Sequence, residues 1–504
     1  MLALPEVGEF AYFWFMNLSW WFPANTSRQL SIAGVAMVIV WTVFKVFYPY
    51  ADYFTDSYSY IQAAAARDAI GYRPIGYSIF LRLVHVISAS DTFLVTLQFL
   101  MVQAASLVLY VRLKQVARLS LWAQWAILLF LVLNPVMPYT CNYVSSDALF
   151  IALSLLWLNV LMGLILLPTW RGLLVQLVLL VMIFNIRYVA LYYPAVAAIA
   201  FFLMRKGIFF KLVGVATSVA VVLVFTSWIK AITKKETGAA IFSAFSGWQI
   251  ANNALHIYPH IPVDTEALPS VESRVLAGYV QNYFDGAGRS VLRDAPQATT
   301  AYMWERGLPL HRYMQAYQGQ HPGTYFDAWN RVAVVFTRYG YHLVRKHPLE
   351  FGRYYLWPSA KSYFYTPLDV YAIYNEGRTD VDSVAMKWFD YRRTGVKVAS
   401  PTIQGKLLSW MPVLYIFLNL GFLLSALLLV PVRGLRQRFP QFVLCFRLAA
   451  AYLLANAAFC IFASPTVLRY QVLPVILLFM FGICALHFVN LHYGDQSTTY
   501  QRRS

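Results

Sequence analysis

The chain has 504 residues, of which 60% are hydrophobic and only 12% are charged, whereas a soluble domain is about a quarter charged. This composition argues against a soluble globular protein. A formal net charge of +18 would suit a nucleic-acid-binding protein if the chain were soluble. Because the basic residues flank apolar runs, we expect this charge to face membrane lipids and we expect no nucleic-acid partner.

Long apolar runs predict a mainly α, polytopic membrane helix bundle, because a helix needs about 20 apolar residues to cross a bilayer. Residues 148–235 and 391–494 contain no Asp or Glu. We predict ten spans, at residues 31–48, 92–113, 119–137, 146–167, 172–186, 188–204, 209–229, 407–430, 441–462 and 467–489. Segment 75–87 is too short to cross and carries Arg82 and His85, which indicates an interfacial helix.

Basic residues cluster after alternate predicted spans, and these clusters set the predicted orientation. They lie at residues 112–118, 171, 205–211, 433–438 and 502–503. All of them fall on one face of a ten-span bundle, which the positive-inside rule makes cytoplasmic. Both termini are therefore predicted to be cytoplasmic, and no removable signal peptide is expected at the N-terminus.

The predicted orientation divides the chain into three parts. Residues 1–230 form an N-terminal transmembrane bundle with a first outer loop at 49–90, residues 231–406 form a large extracytoplasmic loop domain, and residues 407–504 hold the last spans and a cytoplasmic tail. The large loop is long enough to be a domain. Its helical patches, such as residues 324–345, predict an α-rich fold.

The Cys and His residues do not define a metal site. The spacing of the cysteines resembles no zinc site, and none lies in the large loop. His256, His260 and Asp264 have a helical spacing that could suit a metal, but Pro259 interrupts a helix there. The sequence leaves open whether the protein uses a divalent metal ion as a cofactor, and Asp147 is the candidate ligand.

Acidic residues are rare outside the large loop. Apart from those near the termini, they are Asp52, Asp56, Asp68, Asp91 and Asp147. The predicted topology places all of them at the outer membrane surface. A carboxylate at a bilayer boundary is costly unless it faces water or a partner, so each is a candidate functional residue.

The first outer loop carries a recognisable order of residues. It contains Asp52-Tyr53-Phe54-Thr55-Asp56-Ser57-Tyr58, an Ala-rich patch, and then Arg73-Pro74-Ile75-Gly76-Tyr77. This order resembles the GT-C class of integral membrane glycosyltransferases. It is similar to the superfamily of dolichyl-phosphate-mannose protein mannosyltransferases and aminoarabinose transferases, which use polyprenyl-phosphate-linked sugar donors.

Three later segments resemble the same class. They are Asn134-Pro135 followed by Ser145-Ser146-Asp147, Arg187 followed by Tyr192-Tyr193-Pro194, and Ser464-Pro465-Thr466-Val467-Leu468-Arg469-Tyr470. Their order and predicted sidedness agree with the class over the spans from residue 31 to residue 490. The large loop matches no segment of the class.

The resemblance implies an inverting sugar transfer with an Asp general base. Asp56 is the expected catalytic base, which removes a proton from the acceptor, and Asp147 is expected to support it or to hold a metal. The donor phosphate is assigned to Arg73, Arg187, Arg469 and Tyr470. Arginine suits this role because its planar guanidinium binds phosphate oxygens in pairs.

The identity of the first-loop acid is open between two residues. Many members of the class have a second acid directly beside this Asp, but here Ser57 follows Asp56, and Asp52 precedes it by four positions. In a helix, Asp52 and Asp56 would share a face. The pattern Asp-Ser-x-x-Tyr favours Asp56.

The predicted function is therefore a membrane glycosyltransferase with a polyprenyl-phosphate sugar donor and a lipid, glycan or protein acceptor, placed in a bacterial inner (plasma) membrane. A lipid-linked glycan ligase is an alternative, for which we would expect an arginine-led site without the first-loop Asp. A transporter or flippase is another, for which we would expect related halves and midplane charges; a non-catalytic scaffold is the last. Convergence of Asp56, Asp147, Arg187 and Arg469 on one cavity would favour the transferase.

Overall fold

The computed structural model describes residues 24–286, 300–429, 437, 439–463 and 465–501. Regular structure in this part of the chain is helical, and extended pairing is limited to isolated bridges of Asp52 with Tyr143 and Asp380 with Gly395. The predicted mainly α fold is confirmed. The predicted basic residues at 433–436, 438 and 502–503, together with Ser464, lie outside the described residues.

Residues 24–237 form ten α-helices. They are α1 (Ala24–Phe47), α2 (Thr55–Ala66), α3 (Gly76–Ile87), α4 (Asp91–Ala117), α5 (Leu121–Leu133), α6 (Val136–Asn142), α7 (Ser146–Leu166), α8 (Trp170–Ile186), α9 (Tyr193–Leu203) and α10 (Ile208–Thr237). A 3-10 turn at Tyr188–Tyr192 joins α8 to α9.

The remaining helices belong to the large loop and the last spans. They are α11 (Ala244–Leu255), α12 (Val271–Asp285), α13 (Ala301–Trp304), α14 (Pro309–Gln320), α15 (Tyr325–Lys346), α16 (Pro348–Phe351), α17 (Trp357–Phe364), α18 (Ser383–Trp388), α19 (Ile403–Leu408), α20 (Met411–Leu429), α21 (Pro440–Ala463) and α22 (Leu468–Gln501). Short 3-10 turns occur at Tyr258–His260, Asp369–Ala372 and Tyr374–Gly377.

Within the described residues, 7 helical segments are long and apolar enough to cross a membrane. They lie in α1, α4, α7, α10, the α19–α20 unit, α21 and α22. The bent pair of α5 and α6 would make up to 8, while α3, α8 and the unit Tyr188–Leu203 are shorter apolar helices. These helices make the chain an integral membrane protein with a polytopic helix bundle.

A break at Asn134 and Pro135 turns α6 away from α5 by 41°. Proline lacks a backbone N–H and disfavours a helical conformation at the preceding residue, and Asn134 is accordingly extended, with φ −64° and ψ 109°. The buried helix α6 then ends at Asn142, whose carbonyl oxygen accepts a hydrogen bond from the Asp52 N–H at 2.8 Å. The break thus brings the end of α6 to the first outer loop.

The large loop has two packing environments. Residues 244–343 contribute to a hydrophobic core of their own, in which Trp248 stacks on Trp329 with ring centroids 3.9 Å apart. Residues such as Tyr371 and Phe389 belong instead to the core of the membrane bundle. The second half of the loop is therefore packed against the helices that carry the predicted site.

Two glycines allow α11 and α15 to pack closely. A Cβ atom at Gly247 would lie 2.2 Å from the Ala333 carbonyl oxygen, and one at Gly340 would lie 2.7 Å from the Ile250 carbonyl carbon. Both distances are far shorter than van der Waals contact. Any larger residue at either position would force the two helices apart.

We expect Gly247→Ala to destabilise the large loop, because the added methyl group must displace the α15 backbone. Overpacking of this kind costs about 1–3 kcal/mol, which a melting curve of the purified protein would detect. Gly278→Ala in α12 is the matched control, since its Cβ would meet nothing within 4 Å. Equal melting temperatures for the two variants would contradict the close packing.

Candidate active site

The N-terminal ends of α2, α7 and α22 meet, and each helix carries a charged residue at its second position. These residues are Asp56, Asp147 and Arg469. A guanidinium nitrogen of Arg469 lies 3.3 Å from Asp56 Oδ2 and 4.0 Å from Asp147 Oδ2. One cation therefore contacts two acids that are far apart in the sequence.

Local capping orients the acid of α7. The Ser145 hydroxyl accepts a hydrogen bond from the Asp147 N–H at 3.4 Å and donates one to Asp147 Oδ2 at 2.9 Å. Since the Ser145 hydroxyl bonds to Oδ2 of Asp147, Oδ1 of this carboxylate is left to pair with Arg187. A carboxylate in the first turn is also favoured by the helix dipole.

Each acid also has an arginine of its own. Arg187 follows α8 with an extended backbone and forms an ion pair with Asp147 Oδ1. Arg73, between α2 and α3, pairs with Asp56 Oδ1 and donates to the Ser59 hydroxyl at 2.9 Å. The Asp147 side chain is 4% exposed and that of Asp56 is 22% exposed, so Asp56 is the more accessible of the two acids.

Tyr470 lies against two of the arginines. Its hydroxyl accepts a hydrogen bond from Arg469 at 2.8 Å, and its ring centroid is 4.6 Å from the Arg187 guanidinium carbon. The structure therefore brings all six predicted site residues together: Asp56, Asp147, Arg73, Arg187, Arg469 and Tyr470.

Positive charge exceeds negative charge among the charged residues of the cluster, since three guanidiniums face two carboxylates. The next acid that acts on Arg469 is Asp369, which is exposed. The buried Nε of Arg469 has no hydrogen-bond partner among the described residues. These features suit the binding of one further anion, because guanidiniums pair well with phosphate and carboxylate groups.

The guanidiniums keep Asp56 ionised. Burial alone would raise the pKa of its carboxyl group, but Arg73, Arg469 and Arg187 together outweigh burial and hold the pKa below its usual value. Both Asp56 oxygens contact a guanidinium. In this arrangement Asp56 is a weak proton acceptor, and it would become a better one if an arginine moved away.

Two cavities adjoin the cluster. One is lined by Asp147, Arg187, Arg469 and Tyr470 together with apolar residues of α7, α21 and α22, and its empty space, open solvent included, is about 410 Å³. The other is lined by residues 69–73 and Ile75 and by residues of α10, α11 and α15, and its empty space, open solvent included, is about 500 Å³. Asp56 is not among the lining residues of either cavity, but it contacts Arg469 of the first and Arg73 of the second.

The other acids of the first outer loop do not join the cluster. Asp52 precedes α2, which begins only at Thr55, so Asp52 and Asp56 do not lie on one helix and do not share a helix face. Asp91 accepts a hydrogen bond from the Ala51 N–H at 2.7 Å, and Asp68 is exposed. Asp52 is instead buried and paired with another segment.

The described residues contain no group of three or more His, Cys, Asp or Glu side chains that could hold a metal ion. His256 and His260 lie beyond the end of α11, in and beside a 3-10 turn, so they do not share a helix. Asp147 has Arg187 as its closest charged partner. The predicted metal ligand is thus engaged by a guanidinium.

Sequence reasoning missed four residues that support the cluster. The Phe54 ring centroid lies 4.7 Å from the Arg469 guanidinium carbon, the Tyr60 hydroxyl is 2.9 Å from the Ser146 hydroxyl, and Ser59 contacts Arg73. Phe54, Ser59 and Tyr60 lie within four residues of Asp56 in the sequence. This proximity is the sequence feature that could have identified them as neighbours of the site.

In comparisons with known proteins, no protein family, no curated protein and no solved structure matches the chain. The resemblance to the GT-C class therefore depends on the motifs of the sequence alone.

We expect Arg187→Met to destabilise the protein, because it leaves the buried Asp147 carboxylate without its own cation. Breaking one partner of a buried ion pair costs about 3–5 kcal/mol, measurable as a lower melting temperature in detergent. Arg378→Met is the matched control, since the Arg378–Glu376 pair is 60% and 32% exposed and such pairs contribute about 1 kcal/mol or less. An equal effect of both substitutions would contradict the role of Arg187.

Proposed function

We propose that the chain is a membrane glycosyltransferase of GT-C type that transfers a sugar from a polyprenyl-phosphate donor to a lipid, glycan or protein acceptor. The observation that carries this proposal is the contact of Arg469 with both Asp56 and Asp147. A base beside an excess of guanidiniums is what glycosyl transfer from a lipid phosphate requires. One group must take a proton, and others must bind the departing phosphate.

Arg187 and Arg469 are the proposed ligands of the donor phosphate. Both line the first cavity, between the membrane helices, where a lipid-linked head group could enter beside its apolar chain. Phe150, Ile151 and Leu473 also line this cavity, and beside such apolar side chains the arginines would stabilise the growing charge on the leaving phosphate strongly. Tyr470 contacts both guanidiniums and would keep them in place.

Asp56 is the proposed general base. A donor phosphate that takes over Arg469 would free one Asp56 oxygen and raise the basicity of the carboxylate. Asp56 would then accept the acceptor's proton while the acceptor oxygen or nitrogen bonds to the anomeric carbon. The bond from that carbon to the phosphate oxygen breaks, its electron pair leaves with the lipid phosphate, and the configuration is inverted.

Asp147 has a supporting role in this proposal. Its ion pair with Arg187 and its contact with Arg469 position both phosphate ligands. Its neighbours do not fit a resident divalent metal, because Arg187 and Ser145 occupy its oxygens. Asp147 therefore acts on the reaction through the two arginines.

Other functions fit the cluster less well. A lipid-linked glycan ligase shares the lipid-phosphate donor, but Asp56 in contact with two of the arginines favours a base-assisted transfer. In a transporter we would expect the buried charges near the membrane midplane. Here they lie at helix ends that adjoin the first outer loop and the large loop.

We further propose ten spans, with both termini cytoplasmic and the site on the outer face of a bacterial inner membrane. This count requires the α5–α6 pair, α8 and the unit Tyr188–Leu203 to cross in addition to the long helices. The 17 residues of α8 cover about 26 Å at 1.5 Å per residue, close to the bilayer core of about 30 Å.

Replacing Arg469 or Arg187 with Lys should weaken binding of polyprenyl phosphate, because lysine keeps the charge but loses the planar pair of donors. We expect affinity to fall by about tenfold for each variant, since a charge-assisted hydrogen bond contributes about 1.5–3 kcal/mol. Native mass spectrometry of the protein in detergent measures this. Parent-like affinity of both variants, with folding unchanged, would rule out these two residues as phosphate ligands.

Asp56→Asn should lower turnover by about a hundredfold or more, the usual effect of losing a general base. Asparagine keeps the size of the side chain but accepts no proton. The assay is sugar transfer from a panel of synthetic polyprenyl-phosphate sugars to a membrane extract. Asp68→Asn is the control, because Asp68 is exposed in the same loop, and near-parental turnover by Asp56→Asn would refute the assignment.

A further inference from the structure

A parallel bridge joins the segments that lead to the two acids. It pairs Asp52 with Tyr143. The Asp52 N–H donates to the Asn142 carbonyl oxygen at 2.8 Å, and the Val144 N–H donates to the Asp52 carbonyl oxygen at 3.0 Å. The first outer loop and the segment after α6 are therefore fixed side by side and run in the same direction.

The bridge sets the two acids in register. Helix α2 begins at Thr55, three residues after Asp52, and α7 begins at Ser146, three residues after Tyr143. In each helix the acid is the second residue. The bridge is parallel, and each acid lies four residues after its bridged residue. The two carboxylates therefore lie side by side, and Arg469 contacts both.

Residues 367–375 of the large loop, which we call the strap, contact the start of α22 and the segments that precede α2 and α7. Three of these contacts are the hydrogen bonds from Leu468 N to Pro367 O at 2.9 Å, from the Tyr143 hydroxyl to Val370 O at 2.7 Å, and from the Tyr374 hydroxyl to Ala51 O at 2.6 Å. The strap thus connects the helix that carries Arg469 to the bridge between the two acids.

The Asp52 carboxyl group holds the end of the strap. Its Oδ1 accepts hydrogen bonds from the Asn375 N–H and the Tyr53 N–H, both at 2.8 Å, and the residue is 1% exposed. Asn375 has a left-handed backbone with φ 49°, a conformation that asparagine tolerates better than most residues. Its buried N–H needs an acceptor, and Asp52 supplies it.

We propose that Asp52 is a positioning residue of the candidate active site. Its backbone sets the register of α2 against α7, and its carboxyl group ties the strap, and through it α22, to the bridge. The consequence for catalysis rests on the proposed function, whereas the positioning itself does not.

Burial raises the pKa of the Asp52 carboxyl group to about 7, against hydrogen bonds from Asn375, Tyr143 and Tyr53 that lower it. The titratable groups that act on this acid or are acted on by it are Lys45 of α1, Tyr48 just after α1, Tyr139 of α6, Tyr143, and Tyr374 of the strap. Because this pKa lies above that of the unfolded chain, the stability that Asp52 contributes is lost as the pH rises through about 7.

The test compares Asp52→Ala with Asp52→Asn in the full-length protein. Asparagine Oδ1 can accept both N–H groups without a charge, whereas alanine accepts neither. The first readout is hydrogen exchange of residues 367–375 and 142–146, and the second is the affinity for polyprenyl phosphate. We expect Asp52→Ala to speed exchange in both segments and to weaken binding by about tenfold or more, as for an unsatisfied buried donor.

Asp52→Asn should restore slow exchange and binding near the parental level. Between about pH 6 and about pH 8 the parent should lose affinity relative to Asp52→Asn, because only the parent gains a buried charge. Parent-like exchange in a folded Asp52→Ala protein would overturn the inference. If Asp52→Ala does not fold, the pH series decides: a constant exchange ratio between parent and Asp52→Asn overturns it.

The two proposals fail in different ways. If the parent binds no polyprenyl phosphate but Asp52→Ala speeds exchange in both segments, the proposed function is wrong and the positioning role stands. If the parent binds and Asp52→Ala changes neither exchange nor affinity, the positioning role is wrong and the proposed function is untouched.

Discussion

The placement of the guanidinium of Arg469 between Asp56 and Asp147 is the contact on which the rest of the site depends. Burying charges is costly unless each has a partner, and here Arg73 and Arg187 complete the pairing. Asp56, Asp147 and Arg469 are each the second residue of a helix. A shift of any of these helices would break at least one contact of Arg469 with an acid, so the ion pairs and the packing hold each other in place.

The same pairing gives a physical reason for coupling donor binding to catalysis. Asp56 has both oxygens on guanidiniums and a lowered pKa, so it is a weak base while the pairs are intact. An arriving phosphate competes for those guanidiniums because it also accepts paired hydrogen bonds. In the proposed reaction, Asp56 therefore becomes basic when the leaving group is bound, which limits proton removal to the complex that can react.

The sequence was informative where local patterns decide the structure. Apolar runs predicted the helix bundle, the scarcity of acids gave five candidate carboxylates, and the motifs that resemble the GT-C class selected Asp56 and Asp147 among them. The role of Asp52 could not be predicted, because its bridge to Tyr143 and its bond to Asn375 join distant segments. Residues 119–137 were predicted as one span, and the 41° bend at Asn134 and Pro135 was missed, since hydrophobic periodicity does not report a bend. The strap matched no motif, so its contact with α22 had no signal in the sequence.

The central claim is that Arg187 and Arg469 bind a lipid phosphate beside Asp56. A cryo-electron microscopy structure of the full chain in nanodiscs with polyprenyl phosphate tests it most directly. The account predicts the phosphate within about 3 Å of both guanidiniums, with Arg469 withdrawn from Asp56 and the isoprenoid chain between membrane helices. Phosphate bound at another site, with Arg469 still between the two acids, would contradict it.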